Sequence, residues 1–216
     1  TDAIGTMQDL PMKYDEEKTL TRFSYSSVSG TFAGTWNTNP DGSGTAYEDG
    51  QKVINLTGDN GTVITLYAQW ATNTYDVTFI DDHDGTTLKV ENVEYGNDAT
   101  PPDKPKHTGY TALDWDDGYK NVTESKVLRL EYRPNSYTIA FDSNGGTGDM
   151  PNQAMKYDTK SALNDNKFTR DGYTYCGWRL EDKDTGTGYA NGGEVENLAD
   201  VDGITLTMYA QWSTNG

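Results

Sequence analysis

The chain has 216 residues, of which only 33% are hydrophobic, while 23 are glycine and 15 are tyrosine. A formal charge of -17 at pH 7 excludes partners that are bound through clustered Lys and Arg, namely nucleic acid and anionic membrane surfaces. The single cysteine, Cys176, excludes an internal disulfide, and no segment is long and apolar enough to suggest membrane insertion.

The first third of the chain predicts short strands separated by tight turns. The run "TLYAQW" at 65–70 alternates in side-chain character and ends in a tryptophan, which is typical of a strand with one buried face. Clusters of Asn, Asp and Gly at 39–44 and 58–61 mark turns that require positive φ.

The middle third begins with a clear strand signal and continues with a segment that cannot be helical. In "YDVTF" at 75–79, Tyr, Val and Phe alternate with polar residues. The turn "DDHDG" at 81–85 follows, and the proline-rich "PPDKPKHTG" at 101–109 predicts an extended crossover. The run "LRLEY" at 128–132 predicts the next strand.

The last third has the strongest patterns. "YTIAF" at 137–141 alternates like 75–79, and "SNGG" at 143–146 predicts a hairpin turn. In 204–212, Ile204, Leu206, Met208, Ala210 and Trp212 share one face of a predicted strand.

The chain repeats itself. An offset of 142 places Tyr67 on Tyr209 and Trp36 on Trp178, and an offset of 62 places 75–79 on 137–141. We therefore predict three related units, called here repeat 1 (1–72), repeat 2 (73–135, divergent and shorter) and repeat 3 (136–216). Repeat 1 has no counterpart of the opening strand, and its "GTFAGTW" is shifted by one residue relative to "GYTYCGW".

Four strings of repeat 3 carry a family resemblance: "YTIAFDSNGGTGDMPNQAMKYD", "FTRDGYTYCGW", "TGYANGGEVENL" and "ITLTMYAQW". They resemble the Listeria-Bacteroides repeat, the B-repeat type of module found in internalin-like bacterial surface proteins. The match is strong over 137–212, good over 5–70 and weaker over 75–132.

This resemblance implies a fold and a location. The expected fold is mainly β, a tandem of small β-grasp-like modules with little helix in an elongated arrangement. It also implies export by a bacterium and a place on the cell surface or cell wall, between a functional head and an anchor.

No catalytic residue, cofactor or metal ligand is predicted. His83 and His107 are the two imidazoles, both beside turn residues of repeat 2, and a catalytic set with Cys176 would require convergence between units. The alternative for 81–85 is a calcium loop with Asp81, Asp82 and Asp84 as ligands, but the later ligand spacing is missing, so a turn is favoured.

Aromatic residues are the remaining candidates for ligand contact. Trp36, Trp115 and Trp178 occupy one position of the repeat and Trp70 and Trp212 another, so all five tryptophans are assigned to the scaffold. Three tyrosines lack a clear counterpart and are the predicted contact residues: Tyr25, Tyr119 and Tyr175.

Two functional hypotheses follow. The first is a non-catalytic spacer or stalk with an adhesion role, made stiff by the short linkers at 71–74 and 133–136. The second is a module that binds a glycan or a host protein through exposed aromatic residues. The expected partners are neighbouring modules of the same polypeptide and a host or cell-surface protein or glycan.

Overall fold

The computed structural model describes residues 2–216, and within them it contains seventeen β-strands and one short 3₁₀ helix at Asp117–Tyr119. The strands are β1 (Lys18–Thr19), β2 (Gly30–Asn37), β3 (Ala46–Glu48), β4 (Lys52–Val53), β5 (Tyr67–Thr72), β6 (Thr74–Asp81), β7 (Thr87–Glu94), β8 (Tyr110–Ala112), β9 (Lys126–Leu130), β10 (Tyr132–Pro134), β11 (Ser136–Asp142), β12 (Gln153–Lys156), β13 (Ser161–Ala162), β14 (Tyr173–Leu180), β15 (Gly188–Tyr189), β16 (Glu194–Val195) and β17 (Thr205–Thr214). The predicted class, mainly β with little helix, is confirmed. Over residues 2–216, no helix has the length and apolarity that crossing a membrane requires.

Residue contacts divide the chain into two compact units. The first comprises the chain up to Ile80 together with 87–102 and 116–128, and the second comprises 81–86, 103–115 and 129–216. Residues of repeat 2 belong to both units, so the three-repeat boundaries remain a prediction.

The second unit contains a five-stranded sheet in the order β12-β11-β17-β14-β15. The central strand, β17, runs parallel to its neighbour β11, with Ile139 opposite Leu206 and Phe141 opposite Met208. The other neighbouring pairs are antiparallel. The β-grasp-like arrangement itself stays a prediction.

The residues that the alternating pattern assigns to one face form the core of this sheet. Ile139, Met208 and Ala210 are completely buried, and Trp178 is 1% exposed. Burying a side chain of the size of Ile or Met stabilises a fold by about 1.5–3 kcal/mol, so this row of residues stabilises the sheet. Loop residues such as Met150, Leu163 and Phe168 complete the same cluster.

A β-bulge explains the one-residue shift between repeats 1 and 3. In β14 the pairing with β17 slips between Tyr175 and Gly177, where a Cβ on Gly177 would lie 2.8 Å from the carbonyl oxygen of Tyr189. In β2 the corresponding slip runs from Phe32 to Trp36 and is one residue longer. Phe32 therefore pairs with Trp70 as Tyr175 pairs with Trp212.

The first unit repeats part of this architecture. Its sheet β3-β2-β5 matches β15-β14-β17, and the ladder β1-β4 matches β13-β16. Among residues 2–72, no strand corresponds to β11 or β12. Repeat 2 supplies the sheet β7-β6-β9 and, in the second unit, the pair β10-β8.

The connections between repeats are shorter than the sequence predicts. Strand β5 ends at Thr72 and β6 begins at Thr74, while β10 ends at Pro134 and β11 begins at Ser136. Each expected four-residue linker therefore reduces to a single residue outside the strands, Asn73 or Asn135.

Candidate functional site

A cluster of ionisable and polar aromatic side chains lies at the end of β6, in the second compact unit. We call it the His–Asp cluster, and its members are Asp81, His83, Asp84, His107, Tyr110, Tyr132 and Asp158.

Strand alternation brings Asp81 into this cluster. Val77 and Phe79 face the interior and are completely buried, and two residues further on, Asp81 is 1% exposed. A carboxylate in that position needs hydrogen bonds, because burying an unpaired charge is costly.

Asp81 accepts three hydrogen bonds. Its Oδ1 accepts the backbone N–H of His83 at 2.9 Å. Its Oδ2 lies 2.7 Å from His107 Nε2 and also accepts the hydroxyl of Tyr132 at 3.1 Å. Both carboxylate oxygens are therefore held in place.

The two histidine rings stack on each other. Their centroids are 4.1 Å apart with an interplanar angle of 27°. Tyr110 meets the ring of His83 edge-on at 4.7 Å, and Tyr132 meets the ring of His107 edge-on at 4.8 Å. His83 and His107 lie in loops as predicted, but their meeting was not predicted.

The environment shifts the ionisation of these groups. Burial opposes ionisation of Asp81, yet the hydrogen bonds from His107, His83 and Tyr132 outweigh it and lower the pKa of this carboxyl. Burial, reinforced by the adjacent Asp81, raises the pKa of Tyr132 to about 12. Asp81 is therefore a carboxylate and Tyr132 a hydroxyl donor at neutral pH.

The turn at 81–85 forms as predicted, but its aspartates point to different partners. The N–H of Gly85 donates to the carbonyl of Asp81 at 2.8 Å. Asp82, one of the three ligands of the calcium alternative, pairs with Arg129 at 3.0 Å. The carboxylates that do approach each other are those of Asp81 and Asp84.

Within residues 2–216, one group of His, Cys, Asp and Glu side chains has the spacing to share a metal ion. Its ligand atoms, from Asp81, Asp84 and His107, all lie within 4.8 Å of one another. The sequence contains one signal for this group, since extending the alternation of 75–79 by two residues places Asp81 on the buried face.

The three predicted contact tyrosines occupy different environments. Tyr25 and Tyr119 are half-buried and belong to the first unit, with the ring of Tyr25 5.9 Å from that of Phe23. Tyr175 belongs to the second unit, where its ring packs against Trp178 and Trp212 and its hydroxyl is buried with no hydrogen-bond partner among residues 2–216. Burial raises the pKa of Tyr175 strongly.

The tryptophans divide into buried and half-buried groups. Trp36 and Trp178 are buried, whereas Trp70, Trp115 and Trp212 are half-buried. Trp212 Nε1 donates to the carbonyl of Ser143 at 2.9 Å, which fixes its ring in the scaffold. The exposed part of Trp212 borders a shallow groove of about 420 Å³ whose other lining residues include Cys176 and Tyr189.

The connection between repeats 2 and 3 is built around Asn135, within the second unit. Asn135 is 6% exposed, its N–H donates to Gly109 O at 2.8 Å, and its carbonyl accepts the N–H of Tyr157 at 2.9 Å. Its side chain accepts the hydroxyl of Thr111 at 2.6 Å and donates to Asp200 O at 2.6 Å.

The connection between repeats 1 and 2, within the first unit, shares three of these four bonds, while the side-chain amide of Asn73 donates to Val28 O within repeat 1 at 3.1 Å. The N–H of Asn73 donates to Ser29 O at 3.0 Å, and its side chain accepts the hydroxyl of Thr31 at 2.7 Å. Its carbonyl accepts the N–H of Tyr95 at 2.8 Å. We call Asn73 and Asn135 the joint asparagines.

A third asparagine makes half of these bonds. In repeat 3, the N–H of Asn215 donates to Gly172 O at 3.0 Å, and Thr174 donates to its side chain at 2.6 Å. In every repeat, the asparagine therefore makes two bonds to residues at the beginning of an earlier strand, namely β2, β8 or β14. The bond from the tyrosine N–H of the next repeat occurs at Asn73 and Asn135.

Two solved structures share similarity with parts of the chain. "Crystal structure of Mub-RV" is 14% identical with a TM-score of 0.18, covering 64% of this chain and 98% of that one. The type 2 repeat of the mucus binding protein MUB from Lactobacillus reuteri is 11% identical with a TM-score of 0.17, covering 66% of this chain and 99% of that one.

Two curated relatives come from Evansella cellulosilytica. A protein provisionally named a Gly-rich membrane protein is 30% identical over 211 residues, covering 93% of this chain. A protein provisionally named a membrane protein is 29% identical over 162 residues, covering 70% of this chain. The matches span only 22% and 23% of the lengths of these relatives.

The model of the Listeria-Bacteroides repeat domain matches the chain three times in succession, at residues 2–69, 75–126 and 137–211. These ranges cover most of the chain and agree with the strings that carry the resemblance in the sequence. The chain belongs to the Listeria-Bacteroides repeat domain family.

Proposed function

We propose that this chain is a non-catalytic tandem-repeat region of an exported bacterial surface protein, and that it acts as a spacer with an adhesion role. The observation that carries the proposal is the joint asparagine. A single residue between consecutive strands, hydrogen-bonded on both sides, leaves little rotational freedom where two repeats meet.

The joint differs from a flexible linker in its burial and its bonding. Asn135 is buried, and each of its four polar groups has a partner, two of them in repeat 3. Losing such a residue leaves Thr111 and Asp200 without their partners, at a cost of about 1–3 kcal/mol. A spacer needs this resistance to bending.

Other features support the location and the absence of catalysis. The Evansella relatives carry names of membrane proteins, which is consistent with a place on the cell surface or cell wall. The net charge of -17 is typical of a surface that keeps its own chain soluble. The His–Asp cluster contains no activated nucleophile, and Cys176 is exposed outside it.

Pulsed electron paramagnetic resonance tests the spacer. Spin labels at the exposed positions Glu131 and Lys183, both in the second unit and on either side of Asn135, in a Cys176→Ser background, report the distance between repeats 2 and 3. We expect one narrow distance distribution for the otherwise unchanged chain and a broader one for Asn135→Ala. The matched control is Asn215→Ala, which loses the equivalent threonine bond but lies outside the labelled pair. A broad distribution before any joint substitution contradicts the proposal.

A second function, binding of a glycan or a host protein, is favoured by the groove beside Trp212. Aromatic rings that border an open groove can stack on sugars or on a protein side chain. A glycan array and host-protein pull-downs test this function with Tyr25→Ala, Tyr119→Ala, Tyr175→Phe and Trp212→Phe. Binding that is unchanged in all four variants, or undetectable in the unsubstituted chain, removes this candidate.

A further inference from the structure

We propose that Asp81, Asp84 and His107 form a binding site for a first-row transition metal ion, of which Zn²⁺ is the representative. The site lies in repeat 2, within the second compact unit. Its ligand atoms come from two segments, the turn after β6 and the extended crossover, and all lie within 4.8 Å of one another.

The donor set selects the class of ion. One imidazole nitrogen with two carboxylate oxygens suits Zn²⁺, Cu²⁺ or Ni²⁺, whereas Ca²⁺ and Mg²⁺ prefer oxygen ligands alone. Three protein ligands leave one position of a tetrahedral ion for water or for a group on a partner. This is a different site from the calcium loop that the sequence offers as an alternative, because His107 takes the place of Asp82.

Only a small movement admits the ion. Asp81 Oδ2 and His107 Nε2 are 2.7 Å apart. An ion about 2.1 Å from each atom, with a tetrahedral angle between them, requires a separation of about 3.4 Å. The remaining difference is about 0.7 Å, and His107 lies in an extended segment outside the strands, so a shift of this size leaves the strand pairing unchanged.

Surrounding groups already hold the ligands in position. The backbone N–H of His83 fixes Asp81, and the N–H of Thr86 donates to Asp84 Oδ1 at 2.8 Å, which leaves the other oxygen of Asp84 for a ligand bond. The ring of His83 stacks on His107. Such outer contacts orient ligands in metal sites.

The scaffold does not explain why these residues are present. At an offset of 62 residues the counterpart of Asp81 is Ser143, the residue after β11 ends, and at the offsets of 62 and 63 residues the counterparts of Asp84 and His107 are Gly146 and Arg170. Trp212 Nε1 there bonds to the carbonyl of Ser143. Repeat 3 thus builds the same corner with neither a carboxylate nor an imidazole at these positions.

Isothermal titration calorimetry with zinc chloride tests the site on the full chain after treatment with a chelator. We expect one Zn²⁺ per chain. Asp84→Asn and His107→Gln should each raise the Kd at least about ten-fold. Excess calcium chloride should not displace the ion.

Asp82→Asn is the matched control, because it makes the same charge change in the same turn but at a residue paired with Arg129. We expect its Kd to stay within about two-fold of the unsubstituted chain. Asp84 is exposed, and an asparagine can still accept the Thr86 N–H, so Asp84→Asn decides the test even if His107→Gln does not fold.

The proposal is overturned by any of three results. These are a chain that binds no Zn²⁺, an Asp84→Asn variant that binds it as tightly as the unsubstituted chain, and an Asp82→Asn variant that loses as much affinity as Asp84→Asn. X-ray absorption of the zinc-loaded chain gives an independent measurement, with one nitrogen ligand expected at about 2.0–2.1 Å.

Discussion

Two tyrosine hydroxyls in the core of the second unit differ in their hydrogen bonding. The hydroxyl of Tyr137 accepts the backbone N–H of Leu198 at 3.2 Å. The hydroxyl of Tyr175 is buried and has no hydrogen-bond partner among residues 2–216. A buried polar group without a partner destabilises the folded state, since it has lost its bonds to water.

Tyr175→Phe therefore removes a cost and should raise the free energy of unfolding by about 1 kcal/mol. The ring contacts with Trp178 and Trp212 are unchanged by this substitution. Urea unfolding monitored by circular dichroism measures the change.

Tyr137→Phe is the matched control, and it should lower the free energy of unfolding by about 1 kcal/mol because the N–H of Leu198 loses its acceptor. A destabilised Tyr175→Phe variant would contradict the expected sign and would indicate that the hydroxyl has a partner in solution. Loss of ligand binding with unchanged stability would instead support the second candidate function.

At the scale of elements, the start of β8 shows how one repeat is fitted to the next. Gly109 has φ of 78°, and a Cβ at this position would lie 2.3 Å from the ring of Tyr157, all within the second unit. Gly172, its counterpart before β14, has φ of 75° and no atom within 4 Å of the same point. The two glycines therefore share a backbone conformation and differ in contact.

Gly172→Ala should cost about 1–2 kcal/mol of unfolding free energy, which is the penalty for a left-handed residue with a Cβ. Gly109→Ala pays the same penalty and must also displace the ring of Tyr157, so we expect it to cost at least about 1 kcal/mol more. Thermal or urea unfolding of the two variants measures the difference, which isolates the contact at the joint. Equal losses would mean that Tyr157 moves away without cost.

Several elements could be predicted from the sequence because their causes are local. "SNGG" forms a turn in which Asn144 and Gly145 have φ of 45° and 84°, as residues that tolerate the left-handed region should. The alternation in 204–212 correctly gives Leu206, Met208 and Ala210 as buried, whereas Ile204, which precedes β17, is exposed and Trp212 is half-buried. The repeat offsets identify which strands correspond.

Other elements could not be predicted because their causes lie in distant segments. The wider bulge of β2 is visible in the sequence only as a shift of one residue, since the pairing with β5 decides where the extra residue goes. His107 meets Asp81 across 26 positions of the chain, and that contact depends on the path of the proline-rich crossover. Sequence periodicity carries no information about such a path.

At the scale of the whole molecule, charge limits the partners. The net charge of -17 opposes approach to other polyanions, and 34 acidic side chains outnumber 17 basic ones. Many of the bases that are present have a carboxylate beside them, such as Lys52 with Glu17 and Arg133 with Asp202.

We therefore expect no binding of the full chain to duplex DNA or to vesicles rich in phosphatidylserine at physiological ionic strength. Gel shift and vesicle co-sedimentation test this, with neutral phosphatidylcholine vesicles as the control. Salt-sensitive binding to either polyanion would contradict the charge argument. It would indicate a local cluster of Lys and Arg that the net charge does not reveal.

The sequence by itself determined the mainly β class, the tandem repetition, the family and the interior residues of the most regular strands, because each is set by local alternation or by internal similarity. Only the tertiary structure decided that a single hydrogen-bonded asparagine joins consecutive repeats, buried at Asn135 and half-buried at Asn73. It also decided that Asp81, Asp84 and His107 meet at one corner. Both features depend on contacts between segments far apart in the chain, and those contacts are fixed by sheet pairing and loop paths that no local pattern records.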